Sequence, residues 1–438
     1  MKRNKWTWLH LESKSERRIF LSIIAVYLIF LIARVASGNF YLSDSFEYIS
    51  VAKKIQSFTF FEQDAAFSIF SKRPMVYPLF LSLLIYFHPF VVLLAQSIIG
   101  CISIVVLFRI LNDFGVKPNK SFLAFFVLTP SLVIYTQLFM SEWLIFFFLS
   151  TLFYLLTREE FSKKNFALIQ LVTLFLAFTK PVFYPLIYLN LLFFSVYFMK
   201  IKKFSFWLFV PLIVLQLYLN FNEKTSGFRH FSTIENINLI NYNLYYFKST
   251  TQSAEVADAW VDSIYTPQYE LFNAKQQNDY LENTAYTEIK NNLFSYVSYH
   301  VMTAVRGIFD PGRFDMMTFF MNEDGKQGFL EIFSGKKPLS DLFANKLSYV
   351  YVLLIPIGIA NLLKLFYACR FILTRSLDIR LYYLIAILAT YVLLTGPVNC
   401  SRYMMPLQGI LIVFAVLGMK LKKSDKATLA LDKHEVGS

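Results

Sequence analysis

The sequence predicts an all-α, polytopic integral membrane protein. Three observations predict it. The 438 residues are 56% hydrophobic and only 16% charged, with a mean hydropathy of +0.49, a balance that water-soluble globular chains do not show. The apolar residues recur in runs near the length that crosses a hydrocarbon core of about 30 Å, where only helices and closed barrels satisfy their backbone groups. Basic residues gather in the short segments on one side of those runs. Soluble enzymes and nucleic-acid-binding domains are excluded as descriptions of the whole chain.

Taken in order, the first run, Ile19 to Ala36, is too long for a signal-peptide core and ends without a small-residue cleavage pattern, so it predicts a first spanning helix. Further runs follow at Phe90 to Leu111, Phe122 to Tyr135, Trp143 to Leu156, Phe166 to Phe178, Phe183 to Met199 and Phe204 to Leu219. After a long polar stretch come Leu347 to Phe366, Leu381 to Leu394 and Met404 to Met419, making about ten spans. Val76 to Phe87 is too short to span and meets His88-Pro89, so it is expected as a half-buried helix at the outer interface.

This count puts both termini in the cytoplasm of a cell (inner or plasma) membrane protein. The inner segments then carry Lys2, Arg3, Lys5, Lys14, Arg17 and Arg18 at the start, Lys200, Lys202 and Lys203 midway, and Lys420, Lys422, Lys423, Lys426 and Lys433 at the end. The excess of 42 Lys plus Arg over 29 Asp plus Glu thus encodes orientation, and no nucleic-acid partner is expected. Cys101, Cys369 and Cys400 form no CxxC pair, which argues against a disulfide framework or a zinc site. No histidine pair has metal-ligand spacing, disfavouring a zinc peptidase and leaving His300 as the candidate base of a less favoured acyltransferase reading. Gly-rich phosphate loops are absent, so no nucleotide or organic cofactor is expected.

Three units follow: an N-terminal transmembrane module, 1–220, whose first outer loop, 37–89, is its candidate catalytic segment; a large outer loop or cap, 221–345; and a C-terminal transmembrane module with a cytoplasmic tail, 346–438. In the first outer loop, Asp44 and Glu47 are three apart and share a helix face. The same spacing reads equally well as a capping box, with Asp44 at the N-cap and Glu47 three positions on. In the cap, Tyr242, Tyr245, Tyr246, Phe247, Trp260, Tyr265 and Tyr269 suit either sugar stacking or the core of a small helical unit, with the latter favoured. Asp310-Pro311-Gly312-Arg313 predicts a turn.

Several spaced motifs resemble the GT-C superfamily of polytopic glycosyltransferases, which includes protein O-mannosyltransferases and aminoarabinose transferases and uses polyprenyl-phosphate sugars. They are an acid soon after the first helix with an aromatic and an alanine (Asp44, Tyr48, Ala52) and an Arg-Pro-x-x-Tyr-Pro run (Arg73, Pro74, Tyr77, Pro78). A Pro and Tyr before Ser-Glu (Pro130, Tyr135, Ser141, Glu142), Thr179-Lys180-Pro181, and Arg402-Tyr403 with Pro406 complete the set. The chain departs from the family's Asp-Glu pair, since Ser45 follows Asp44. The resemblance implies an inverting membrane glycosyltransferase, a polyprenyl-phosphate sugar donor, a glycan, lipid or protein acceptor, and a divalent cation, Mg or Mn, as candidate cofactor.

The chemistry asks for a carboxylate to take the acceptor's proton and cations to meet the departing phosphate. Asp44 is the expected general base, with Glu47 the second candidate carboxylate. Glu142 is a candidate for acceptor or metal, or else a favourable charge at a helix N-terminus. Lys180 and Arg402, beside Tyr403, are expected to hold the lipid phosphate, with snorkelling as their plainer alternative; Arg73 serves phosphate or structure. All are expected to face one outer cavity beneath the 221–345 cap. The competing readings are a lipid-linked glycan polymerase or ligase and a lipid-linked sugar transporter without chemistry.

Overall fold

The computed structural model describes residues 11, 13–59, 72–158, 162–202, 204–321, 348–375, 377–398 and 400–421. The expected inner lysines and arginines at 2, 3, 5, 203, 422, 423, 426 and 433 and residues 322–345 of the cap lie outside them. Every regular element among the described residues is helical. Helix α1 (Lys14–Ser37) begins with a reciprocal cap: the Glu16 amide donates to the Ser13 hydroxyl and the Ser13 amide to the Glu16 carboxylate. Gly38 ends it in the left-handed region, at φ 68°. The amphipathic α2 (Ser43–Gln56) and short α3 (Val76–Leu84) follow, the latter at the expected non-spanning segment. Then come α4 (Pro89–Asp113), α5 (Lys120–Val127), α6 (Glu142–Leu156), α7 (Lys163–Ala177), α8 (Pro185–Lys200) and α9 (Val210–Ser226).

The stretch between α9 and the last three long helices holds α10 (Ile234–Asn238), a π-helical stretch over Leu239–Leu244, α11 (Tyr245–Thr251), α12 (Ala254–Ile264), α13 (Ala274–Asn291), α14 (Leu293–Ile308) and α15 (Arg313–Met321). The chain closes with α16 (Ser348–Thr374), α17 (Ile379–Thr395) and α18 (Ser401–Lys420). Among the described residues, seven helical stretches are long and apolar enough to cross a membrane: α1, α4, the stretches ending in α8 and α9, α16, α17 and α18. The chain is an all-α, multi-pass membrane protein.

The difference from ten lies in three runs. Trp143 to Leu156 and Phe166 to Phe178 form the 15-residue helices α6 and α7, each about 22 Å long. Phe122 to Tyr135 is not one helix. It stops after eight residues of α5, turns at Leu128-Thr129-Pro130, and resumes as single turns over Ser131–Ile134 and Tyr135–Gln137. Proline pushes its predecessor out of the helical region and lacks an amide hydrogen, and the Thr129 hydroxyl donates to the Phe125 carbonyl at 2.7 Å where the helix frays.

The most enclosed of the seven long helices among the described residues is α18, with 78% of its most apolar stretch buried against 22% for the stretch ending in α9. It packs along α16 and α6 and contacts α4 and α5. At Gly418 its backbone passes so close to α16 that a Cβ would collide with the Tyr367 carbonyl. Polar ties add register: Gln96 donates to the Thr136 and Leu138 carbonyls at 2.9 Å each, and buried Arg34 of α1 donates to the Phe319 carbonyl of α15 at 3.0 Å. Outside the bundle, Ile240, Leu244, Phe247, Ile264, Tyr269, Leu281 and Tyr296 form a second, smaller core, so most of the cap aromatics build structure, while Tyr242 and Tyr246 stay exposed.

Gly418→Ala should force α16 and α18 apart and cost about 1–3 kcal/mol. The expected readout is a lower melting temperature in detergent, and an unchanged one would disprove the close crossing.

Candidate functional site

Five segments, at or beside the ends of helices, meet on one side of the bundle. The start of α2 supplies Asp44 and Glu47, the segment before α3 supplies Lys72 and Arg73, and the start of α6 supplies Glu142. The turn between α7 and α8 supplies Lys180, and the first turn of α18 supplies Arg402 and Tyr403. Each site residue expected from the sequence lies in this cluster.

Arg402 is the centre of it. Its Nε donates to Glu142 Oε1 at 2.7 Å, and Nη2 donates to Asp44 Oδ2. Lys180 Nζ meets the same Glu142 oxygen at 3.1 Å. The other Asp44 oxygen pairs with Arg73 Nη2 at 2.9 Å, and Arg73 Nε reaches Glu47 Oε2 at 2.6 Å, with Lys72 on Glu47 Oε1 at 2.6 Å. The network alternates in charge, and aromatic faces close it. Arg73 lies over Tyr48 at 5.1 Å and Lys180 over Tyr403 at 4.3 Å, while the Tyr48 hydroxyl meets the Ser141 hydroxyl at 3.0 Å.

This geometry decides two questions that the spacing left open. The start of α2 is capped by Ser45, whose hydroxyl accepts the Leu42 amide at 2.9 Å, so Asp44 and Glu47 are not the capping pair and are free to face the cations. Neither Lys180 nor Arg402 snorkels, since both are largely buried and hold carboxylates. Glu142 is fully enclosed, whereas the Asp44 side chain keeps 21% of its surface. Burial alone would raise the Asp44 carboxyl, but the Arg402 and Arg73 charges outweigh it and hold the group well below the usual carboxylate range.

The carboxylates expected to hold a divalent cation are largely engaged by the cluster's own cations, and among them only the buried Glu142 Oε2 keeps no hydrogen-bond partner. Glu142 Oε1 already receives Arg402 and Lys180, and both Asp44 oxygens receive arginines, so a metal there would sit against cations. Among the described residues no group of three or more His, Cys, Asp or Glu side chains converges as metal ligands. His300 contacts the Leu393 carbonyl through Nε2 at 2.7 Å, outside the cluster.

Sequence reasoning missed a second polar group beside the first. Asp310, in the expected turn, accepts the Gly312 amide at 3.0 Å through one oxygen and the Ser401 amide at 2.8 Å through the other, so the turn clamps the N-terminus of α18. Asp315 is buried and accepts the Tyr135 hydroxyl. Lys364, also buried, donates to Thr129 Oγ1 at 3.2 Å and to Gln408. The Asp310-Pro311-Gly312 signal was legible; an isolated aspartate such as Asp315 carries no local pattern.

No known protein family, characterised protein or solved structure matches the chain.

Burial pushes the Asp315 carboxyl up to about 7 against the opposing Tyr135 hydrogen bond. A carboxyl raised above its unfolded value of about 3.9 contributes stability that is fully present below that value and is lost as pH rises through the folded one. Asp315→Asn should remove this slope, so melting curves of the two proteins should diverge between about pH 4 and 7. Parallel curves would show that Asp315 does not titrate in that window.

Proposed function

We propose that the chain is an outer-face membrane glycosyltransferase that moves a sugar from a polyprenyl-phosphate carrier to an acceptor. The observation that carries the reading is the alternating carboxylate and guanidinium cluster at the ends of several membrane helices. Around Asp44 and Glu142 stand Arg73, Lys180 and Arg402, one more cation than carboxylate, and this surplus suits the single negative charge of a lipid phosphodiester at headgroup depth. Arg402 retains Nη1 with no hydrogen-bond partner among the described residues, a donor for a phosphate oxygen.

In this reading the acceptor hydroxyl attacks the anomeric carbon opposite the phosphate. The carbon–oxygen bond breaks, its electron pair stays on the polyprenyl phosphate, and the hydroxyl proton passes to a carboxylate. Accessibility selects Asp44 over Glu142, because the latter is sealed. A carboxylate held between two arginines is a weak base, so the donor has a second effect: phosphate draws Arg402 and Arg73 toward itself and restores basicity to Asp44. Glu142 keeps Lys180 and Arg402 in place, and Glu47 orients Arg73.

The ten-span, inside-to-inside arrangement belongs to the same proposal. Antiparallel α6 and α7 begin and end at the cluster, and the broken segment from α5 to Gln137 returns the chain to it, as an outer site requires. The cluster's place at helix ends favours this reading over a transporter, whose polar groups concentrate at the midplane.

Proteoliposomes given polyprenyl-phosphate sugars, with candidate acceptors chosen by mass spectrometry of lipid-linked sugars and surface glycans in cells lacking the protein, test the activity. Asp44→Asn should lower transfer by about 10² to 10⁴ while donor binding persists, and Glu47→Gln should cost less. A larger loss in the Glu47 variant would move the base role there; activity kept in both removes this loop from the chemistry. For the phosphate, Arg402→Lys should weaken donor binding and Arg402→Ala should weaken it further, by about 2–5 kcal/mol. Unaltered donor affinity in the alanine variant would assign Arg402 to structure alone.

A further inference from the structure

Helix α14 (Leu293–Ile308) lies in the region whose sequence reads as a water-exposed outer cap, yet its exposed face is the wrong kind for water. Phe294, Val297, Val301, Met302, Val305 and Phe309 follow one another at helical spacing and are all exposed, Phe294 by 90%. The opposite face, with Tyr296, Tyr299, Thr303, Ala304 and Gly307, packs inward. The helix just before it behaves in the ordinary way. In α13 the exposed positions are Lys275, Asp279, Glu282, Asn283 and Lys290 among others, and Leu281 and Ala285 face the small core. Chemistry on the outward side therefore changes across Asn291-Asn292, within one cap.

Two contacts set the height of α14. His300, midway along it, meets the Leu393 carbonyl in the last turn of α17, and Asp310, just beyond its end, accepts the Ser401 amide at the start of α18. The helix thus runs level with the outer ends of two spanning helices. Helix α14 packs against α17, where Leu393 and Leu394 are also exposed. Tied near its middle and at its end to that one level, the 16-residue helix lies along the end of the bundle and does not run beside α17 and α18.

We infer that α14 is an interfacial helix whose Phe294, Val297, Val301 and Val305 face is immersed in the acyl chains of the outer leaflet, with the bilayer itself as the partner of this surface. Arg306, the one charged residue on the exposed face, then reaches the lipid phosphates. The cap is thereby fastened to the membrane surface beside the end of α18. Through Asp310 that anchoring bears on the helix end that holds Arg402. The inference does not rest on the proposed transferase reaction.

A fluorescent amino acid placed singly at 297, 301 or 305 in the full chain, reconstituted into phosphatidylcholine vesicles, tests it. Tyr286, exposed on α13, is the comparison position. Bromine-labelled acyl chains should quench the three α14 positions several-fold more than position 286, and iodide in the buffer should do the reverse. Iodide quenching at 301 equal to that at 286 would overturn the proposal. Shielding of the stripe from both quenchers would also overturn it, by showing that protein covers the face.

Discussion

The fold around the site depends on where Arg402 sits. One guanidinium joins the first turn of α18 to the starts of α2 and α6, and through the shared Glu142 oxygen to the turn carrying Lys180. These segments are far apart in the chain, and no apolar contact could specify their mutual position so narrowly. Charges so enclosed are stable only as a set. Removing one partner from a buried pair typically costs about 3–5 kcal/mol because the other is left uncompensated. The cluster is therefore both a candidate reaction centre and a constraint on how helix ends are gathered.

The same constraint explains the neighbouring features. For Arg402 to meet two carboxylates, the start of α18 has to be held, and Asp310 holds it by accepting the Ser401 amide. Arg73 has to approach Asp44, and the Ser232 hydroxyl, just before α10, steadies that segment by donating to the Lys72 carbonyl at 2.9 Å. The break at Pro130 turns Tyr135 toward Asp315, placing a second set of buried polar groups beside the first. A continuous helix over Phe122 to Tyr135 would have carried Tyr135 along a single axis instead.

Much of the architecture was legible in composition. The seven long helices fall on seven of the ten apolar runs, and the short Val76 segment was separable by length and by His88-Pro89. The three remaining runs carried the same apolar signal, but hydropathy averages over a window and does not register where a backbone turns. Pro130 was visible, yet its effect depended on Thr129 and on what packed around the break. The apolar stripe of α14 escaped notice because its valines are interleaved with Ser, Tyr and Thr, so mean hydropathy stays modest while one face is nearly free of charge.

By itself the sequence determined that the chain enters a membrane and which runs are apolar, because transfer free energies act residue by residue and need no partner. It also singled out Asp44, Glu47, Arg73, Glu142, Lys180, Arg402 and Tyr403. Only the tertiary structure decided their pairing: that Ser45 and not Asp44 caps α2, that Glu142 is sealed while Asp44 is reachable, and that each carboxylate already holds cations. Charge pairing acts over a few ångströms and falls off steeply with separation, so residues up to 358 positions apart acquire partners only when folding brings their helix ends together.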